Sequence, residues 1–196
     1  MVDNLPLQMT KLEILQKTGL NVFTPDDLMV LWQSSDKRSV HESIKDYIRR
    51  GRMFSVRRGI YLLDKKYDAF EIAQKLISPS YISHYTALAY HGIIFQKYSE
   101  IHSFAPYSKL VTLDGNKYIY HKLNEEIFNI QDGLIITDKY TIAGPERAIC
   151  DTLYLNKSVA FDNLRNIDTS KLINISKIYN NKRLEGEINV LILGIK

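Results

Sequence analysis

Eight lysine and arginine side chains (Lys37, Arg38, Lys45, Arg49, Arg50, Arg52, Arg57 and Arg58) fall within 22 residues that hold only two acids, Glu42 and Asp46. Cations at this density suit contact with a polyanion, since each can neutralise a phosphate and release a condensed counterion. The charge is local. Residues 1–66 carry twelve basic and eight acidic side chains and residues 67–196 fourteen of each, so the net charge of +4 lies in the first third.

The remaining chemically able side chains do not form a set by spacing. His84 and His91 stand seven residues apart, on one helical face but two turns from each other, whereas a zinc helix of the HExxH type needs a spacing of four. His102 and His121 fall on expected strands with no carboxylate partner at a recognisable distance. Structural histidines are expected, with no metal site and no cofactor. Cys150 sits in an amphipathic pattern as a small hydrophobe, without the His and Asn signature of a thiol nucleophile. Asp114-Gly115-Asn116 reads as a hairpin turn and Gly144-Pro145 as a helix start, so neither is a phosphate loop. Asp132, Glu146 and Asp151 lack the carboxylate–carboxylate–lysine pattern of a nuclease. No catalytic residue and no enzyme is expected.

The cations need elements to position them. Residues 7–18 place Met9, Leu12 and Leu15 near one helical face, ended by Gly19. Thr24-Pro25-Asp26-Asp27 supplies an N-cap, a proline for the first helical position and two acids for the positive end of the dipole. A second helix follows over about 25–32, with Leu28, Leu31 and Trp32 apolar. After the polar turn Gln33–Asp36, a third helix is expected from Lys37 to Arg50, stopped by Gly51. Val40, Ile44, Tyr47 and Ile48 form its apolar stripe, and Arg38, Glu42, Lys45 and Arg49 lie opposite, with His41 at the border. Two short strands, 53–56 and 60–63, are joined by Arg57-Arg58-Gly59.

This order predicts a winged helix-turn-helix over residues 1–66, with the third helix as reader. Arg38 is placed for bidentate contact to guanine, and Lys45 for a base or a phosphate. Lys37, Ser39 and His41 are further candidates. Glu42 suits cytosine N4 or a pairing with Arg38. Arg49 and Arg50 suit phosphates, and Arg57 and Arg58 the backbone or a narrow minor groove. Three plainer readings use the same residues: a solvated helix face, helix-end cations that complement the dipole, or a protein-binding winged helix.

Residues 67–196 mix helices and strands without a βαβ rhythm, which makes the chain α+β. Helices are expected around Ala69–Leu76, from Ser83 to His91, from Pro145 to Leu155 and over 169–180. Strands are expected at 100–105, 110–123 and 133–142, and the apolar end 188–193 has the composition of another strand. Ser80, Tyr81 and Ser83 read as a helix start with capping hydroxyls. No heptad seam is visible, so a monomer that binds DNA in side-by-side pairs is expected. Hydrophobic residues make up 45% and charged residues 24%, a balance that excludes a disordered chain. No apolar run reaches the ~20 residues that span a membrane. Met1-Val2-Asp3-Asn4 lacks the start of a secretory signal, and one cysteine fits a reducing cytoplasm.

Two further stretches carry a resemblance. One runs from Phe70-Glu71-Ile72-Ala73 through Ser78-Pro79-Ser80-Tyr81-Ile82-Ser83 to Thr86-Ala87-Leu88 and His91-Gly92. The other is Ala143-Gly144-Pro145-Glu146-Arg147-Ala148-Ile149-Cys150-Asp151. In this order, after the Arg57-Arg58-Gly59-Ile60-Tyr61 segment, they resemble the AbiEi family, the antitoxins of bacterial type IV toxin–antitoxin and abortive-infection systems. The likeness covers about residues 5–157 and stops after Leu155 as a recognisable pattern. It implies a cytoplasmic bacterial protein of two roles. The N-terminal domain would repress its own operon by binding inverted repeats in the promoter. Residues 67–196 would oppose a nucleotidyltransferase toxin without requiring a stable complex with it. The resemblance assigns no role to Arg147 or Asp151, and the antitoxin surface is unassigned. A regulator with a ligand-sensing or assembly domain is the alternative.

Overall fold

The computed structural model describes residues 9–96, 98–155 and 159–194, and the chain is α+β with two sheets. It divides into two compact units, Met1–Lys75 and Leu76–Lys196.

The first unit begins with α1 (Lys11–Lys17), β1 (Val22–Phe23), α2 (Pro25–Leu31) and α3 (Lys37–Arg49). Residues 7 and 8 of the expected first helix lie outside the described residues. Each helix start follows from a local cap. Thr10 and Glu13 form a capping box on α1, and Thr24 and Asp27 form one on α2 with Pro25 in its first turn. Asp36 accepts a hydrogen bond from the Arg38 amide at the start of α3. Strands β2 (Phe54–Arg57) and β3 (Ile60–Leu62) form the expected hairpin, and β1 pairs with the other side of β3 in an antiparallel sheet ordered β1-β3-β2. Gly59 takes φ +84° in the hairpin turn, a conformation that costs other residues strain. Leu15, Phe23, Leu28, Trp32, Val40, Ile44 and Met53 make one core, with Tyr47 and Ile48 packed against it. The apolar stripe of α3 therefore faces inward and its basic face outward.

Helix α4 (Ala69–Leu76) explains why this unit runs to Lys75 rather than ending at residue 66. The fully buried Glu71 carboxylate accepts the amides of Asn21 and Val22 at 2.7 and 2.9 Å. Lys75 pairs with Asp27 at 2.9 Å. Asn21 adds hydrogen bonds to Leu63, Asp64 and Lys66, so the polar junction is held against the sheet.

The second unit holds a six-stranded mixed sheet, ordered β6-β7-β5-β4-β9-β8. Its strands are β4 (Tyr81–Ile82), β5 (Glu100–Ala105), β6 (Lys109–Leu113), β7 (Asn116–Lys122), β8 (Leu134–Ile136) and β9 (Thr141–Ala143). The β5/β7 and β4/β9 pairs are parallel and the others antiparallel. Helix α7 (Pro145–Tyr154) packs against α5 (His84–Tyr90), α8 (Thr169–Lys177) and α9 (Lys182–Leu193); a short α6 (Glu125–Phe128) follows β7.

Three local expectations are corrected. The apolar end at 188–193 is helical, as part of α9. Asn181 caps that helix, and Leu184 and Ile188, four residues apart, form its buried face. The strand expected over 133–142 is a hairpin, β8 and β9. Tyr81 and Ile82 form strand β4 rather than a helix start, and Ser83 makes no side-chain cap on α5. Among the described residues, no helix is long and apolar enough to cross a membrane.

Candidate functional site

Lys37, Arg38, Ser39, His41, Lys45, Arg49, Arg57 and Arg58 are all exposed. The first six lie on α3 and the last two at the β2–β3 turn. Their pairing differs. Lys45 contacts Glu42 at 3.2 Å, so Glu42 is engaged with Lys45 rather than Arg38. Asp46 is shared by Arg49 and Arg50. Such exposed pairs stabilise little. Lys37, Arg38, Arg52, Arg57 and Arg58 make no ion pair among the described residues.

His41 Nδ1 donates to the Lys37 carbonyl at 2.7 Å, because a carbonyl only accepts. Its Nε2 is then the nitrogen left for an outside partner. Ser43, one turn beyond Ser39, donates to the Ser39 carbonyl and accepts from Lys11, which ties α1 to α3. The apolar stripe and these ties hold the basic face in place without using its charges.

The Ala143–Asp151 stretch forms a buried polar network instead of a surface. Arg147 and Asp151, four residues apart on α7, have fully buried side chains with Nε and Oδ1 3.4 Å apart. The guanidinium donates to the carbonyls of Ile127, Ile130 and Asp132 and to the Tyr81 hydroxyl, at 3.1–3.4 Å. Asp151 accepts from Ser83 at 2.6 Å, from Tyr81 at 3.1 Å and from Tyr179. Burial pushes both phenols well above their ordinary range, which keeps them protonated as donors. Burial opposes the guanidinium's charge, but Asp151 and the two tyrosines hold its pKa above the usual value. Gly133 closes the network: at φ +79°, a Cβ there would lie 2.7 Å from Ile175 Cδ1 and 2.9 Å from Arg147 Cβ.

The network joins β4, α7 and the segment after α8. That accounts for the two motifs that carry the family resemblance as fold-forming elements. The sequence pattern includes both motifs but does not show that they meet.

Cys150 is fully buried, and burial raises its thiol pKa, which keeps it protonated. His91 Nε2 donates to the Ala143 carbonyl at 2.8 Å. The other three histidines of the second unit come together. His84, His102 and His121 present nitrogen atoms that all lie within 4.8 Å of one another. Their separation of 18 and 19 residues along the chain follows no ligand motif. It is the parallel register of β5 on β7, pairing Phe104 with His121, that sets His102 and His121 on one face.

No family model matches the chain, and no curated protein matches it.

Proposed function

We propose that the first unit is a winged helix-turn-helix that binds double-stranded DNA, with α3 as the reading helix and the β2–β3 turn as the wing. The observation that carries this reading is the exposed group Lys37, Arg38, Arg57 and Arg58, which makes no ion pair among the described residues and lies on α3 and the hairpin tip. Cations gathered on one helix face and one hairpin tip, with no acid of the protein paired to them, suit contact with the phosphates of an outside polyanion. Arg38 is the leading base contact and Arg57 and Arg58 the leading phosphate contacts.

With the AbiEi resemblance added, the protein is a cytoplasmic autorepressor and antitoxin. It binds inverted repeats in its own promoter as paired monomers and opposes a nucleotidyltransferase toxin encoded beside it. A gel shift with the native upstream region tests the first half. Binding that is lost in Arg38→Ala supports it, and a wild-type protein that shifts no promoter DNA at low salt ends it. Co-expression with the neighbouring toxin gene tests the second half. Variants on α3 should lose repression and still rescue growth; loss of both together would remove the division of labour. A second reading, a regulator whose second unit senses a small ligand, is favoured by the imidazole cluster.

A further inference from the structure

We propose that His84, His102 and His121 form a binding site for a borderline divalent transition metal, with Zn2+ as the representative ion. The site is independent of the DNA reading and stands or falls without it.

The three rings form a near-equilateral triangle, with centroids 5.1 Å apart for His84–His102 and 5.3 Å for each of the other pairs. His102 Nδ1 and His121 Nε2 are hydrogen-bonded at 2.9 Å between nearly parallel rings, so one of the two carries a hydrogen in the metal-free protein. A tetrahedral ion with Zn–N bonds of ~2.0–2.1 Å spaces its ligand nitrogens about 3.3 Å apart. Binding an ion therefore moves that hydrogen to the other nitrogen of its ring and turns the two rings until both lone pairs converge, while the whole group, already within 4.8 Å, contracts toward the ion.

The third ring is held in the tautomer that a ligand requires. Thr152 Oγ1 donates its single hydrogen to the Ala148 carbonyl at 2.7 Å. It therefore accepts from His84 Nδ1 at 3.1 Å. With the hydrogen fixed on Nδ1, Nε2 of the neutral ring carries the lone pair. This is the usual way in which a hydrogen bond to the far nitrogen orients a metal-binding imidazole.

The backbone around His84 is equally constrained. His84 adopts φ +55°, a left-handed conformation uncommon outside glycine. The adjoining Ser83 amide donates to the His102 carbonyl at 3.0 Å, and the His102 amide donates to Thr86 Oγ1 at 2.8 Å. The start of α5 is thus clamped to β5 where the two rings meet.

The donor set selects the class of ion. Three imidazoles without a carboxylate or thiolate suit Zn2+, Co2+, Ni2+ or Cu2+ and disfavour Mg2+ and Ca2+, which take oxygen ligands. Three protein ligands leave a fourth position for water or a small anionic or nitrogenous ligand. His84 and His102 are buried and His121 is half-buried, so the approach is from the His121 side.

The test uses the full chain. Apo protein is titrated with Co2+ and with Zn2+, with Mg2+ as control, and followed by visible absorption, thermal melting and imidazole 15N shifts. One equivalent of Co2+ should give the intense visible bands of a tetrahedral ion, and Zn2+ should raise the melting temperature and displace the Co2+. The 15N resonances of three rings should move together. His121→Gln should abolish the tight equivalent, and Thr152→Val should weaken it about 10–100-fold. His41→Gln with His91→Gln should leave it unchanged. Because the 15N measurement is made on the wild type, a variant that fails to fold does not protect the proposal. No saturable equivalent in folded wild-type protein, or binding that survives His121→Gln, overturns it.

Discussion

The guanidinium of Arg147 and the carboxylate of Asp151 lie one turn apart on α7, 3.4 Å from each other, with neither side chain reaching solvent. Each ion has been desolvated, and each is compensated by polar groups from other elements: three carbonyls and Tyr81 for Arg147; Ser83, Tyr81 and Tyr179 for Asp151. Removing one member leaves an uncompensated buried charge. Asp151→Asn or Arg147→Met should therefore destabilise the second unit by about 3–5 kcal/mol. Urea melts of the two variants check this, and a change within about 0.5 kcal/mol would mean that the network contributes little.

Glu71 offers a second test. Glu71→Ala removes the acceptor for two amides, the part-buried Asn21 and the buried Val22, at a cost of about 1–3 kcal/mol for the buried Val22 donor left without a partner and less for Asn21. A fragment ending at residue 66 lacks the same carboxylate. It should melt below a fragment that extends through α4, and equal melting temperatures would show that α4 is dispensable to the first unit.

On the basic face, the pairing pattern ranks the side chains. Arg57→Ala with Arg58→Ala should reduce the slope of log K against log salt by roughly 0.9 per lost phosphate contact, up to about 2 for both. It should weaken all sequences alike. Arg38→Ala should cost about 1–3 kcal/mol on the preferred operator and relax base choice there. Binding isotherms at several salt concentrations, on operator and on scrambled DNA, separate the two behaviours.

Cys150 should resist thiol reagents. Burial raises its pKa, so native protein at pH 8 presents a shielded neutral thiol. Labelling with a chromogenic disulfide should be slow in buffer and complete in denaturant. Rapid native labelling would show that the α7 packing opens readily.

Much of the first unit is legible in the sequence because its determinants are local. Thr24-Pro25, the Val40/Ile44 spacing and Gly51 bound two helices, and Arg57-Arg58-Gly59 marks the hairpin. Strand β1 is only two residues long, too short for a periodicity to register. At the other end of the chain, the apolar residues of 188–193 suit a strand by composition. They form a helix because Asn181 caps the helix about two turns earlier and Leu184 and Ile188 continue one buried face.

The chain alone determines where the charges lie and which helix face must turn inward, since both depend on spacings of three, four or seven residues. It also determines that Cys150 and the Pro145–Asp151 stretch belong to a helix. Tertiary structure decides which distant residues meet. The pairing of Glu71 with two amides about 50 residues away, the convergence of Ser83 and Tyr179 on Asp151, and the assembly of three histidines depend on strand register and helix docking. Those are set by burial summed over the whole unit, and no short stretch of sequence encodes them.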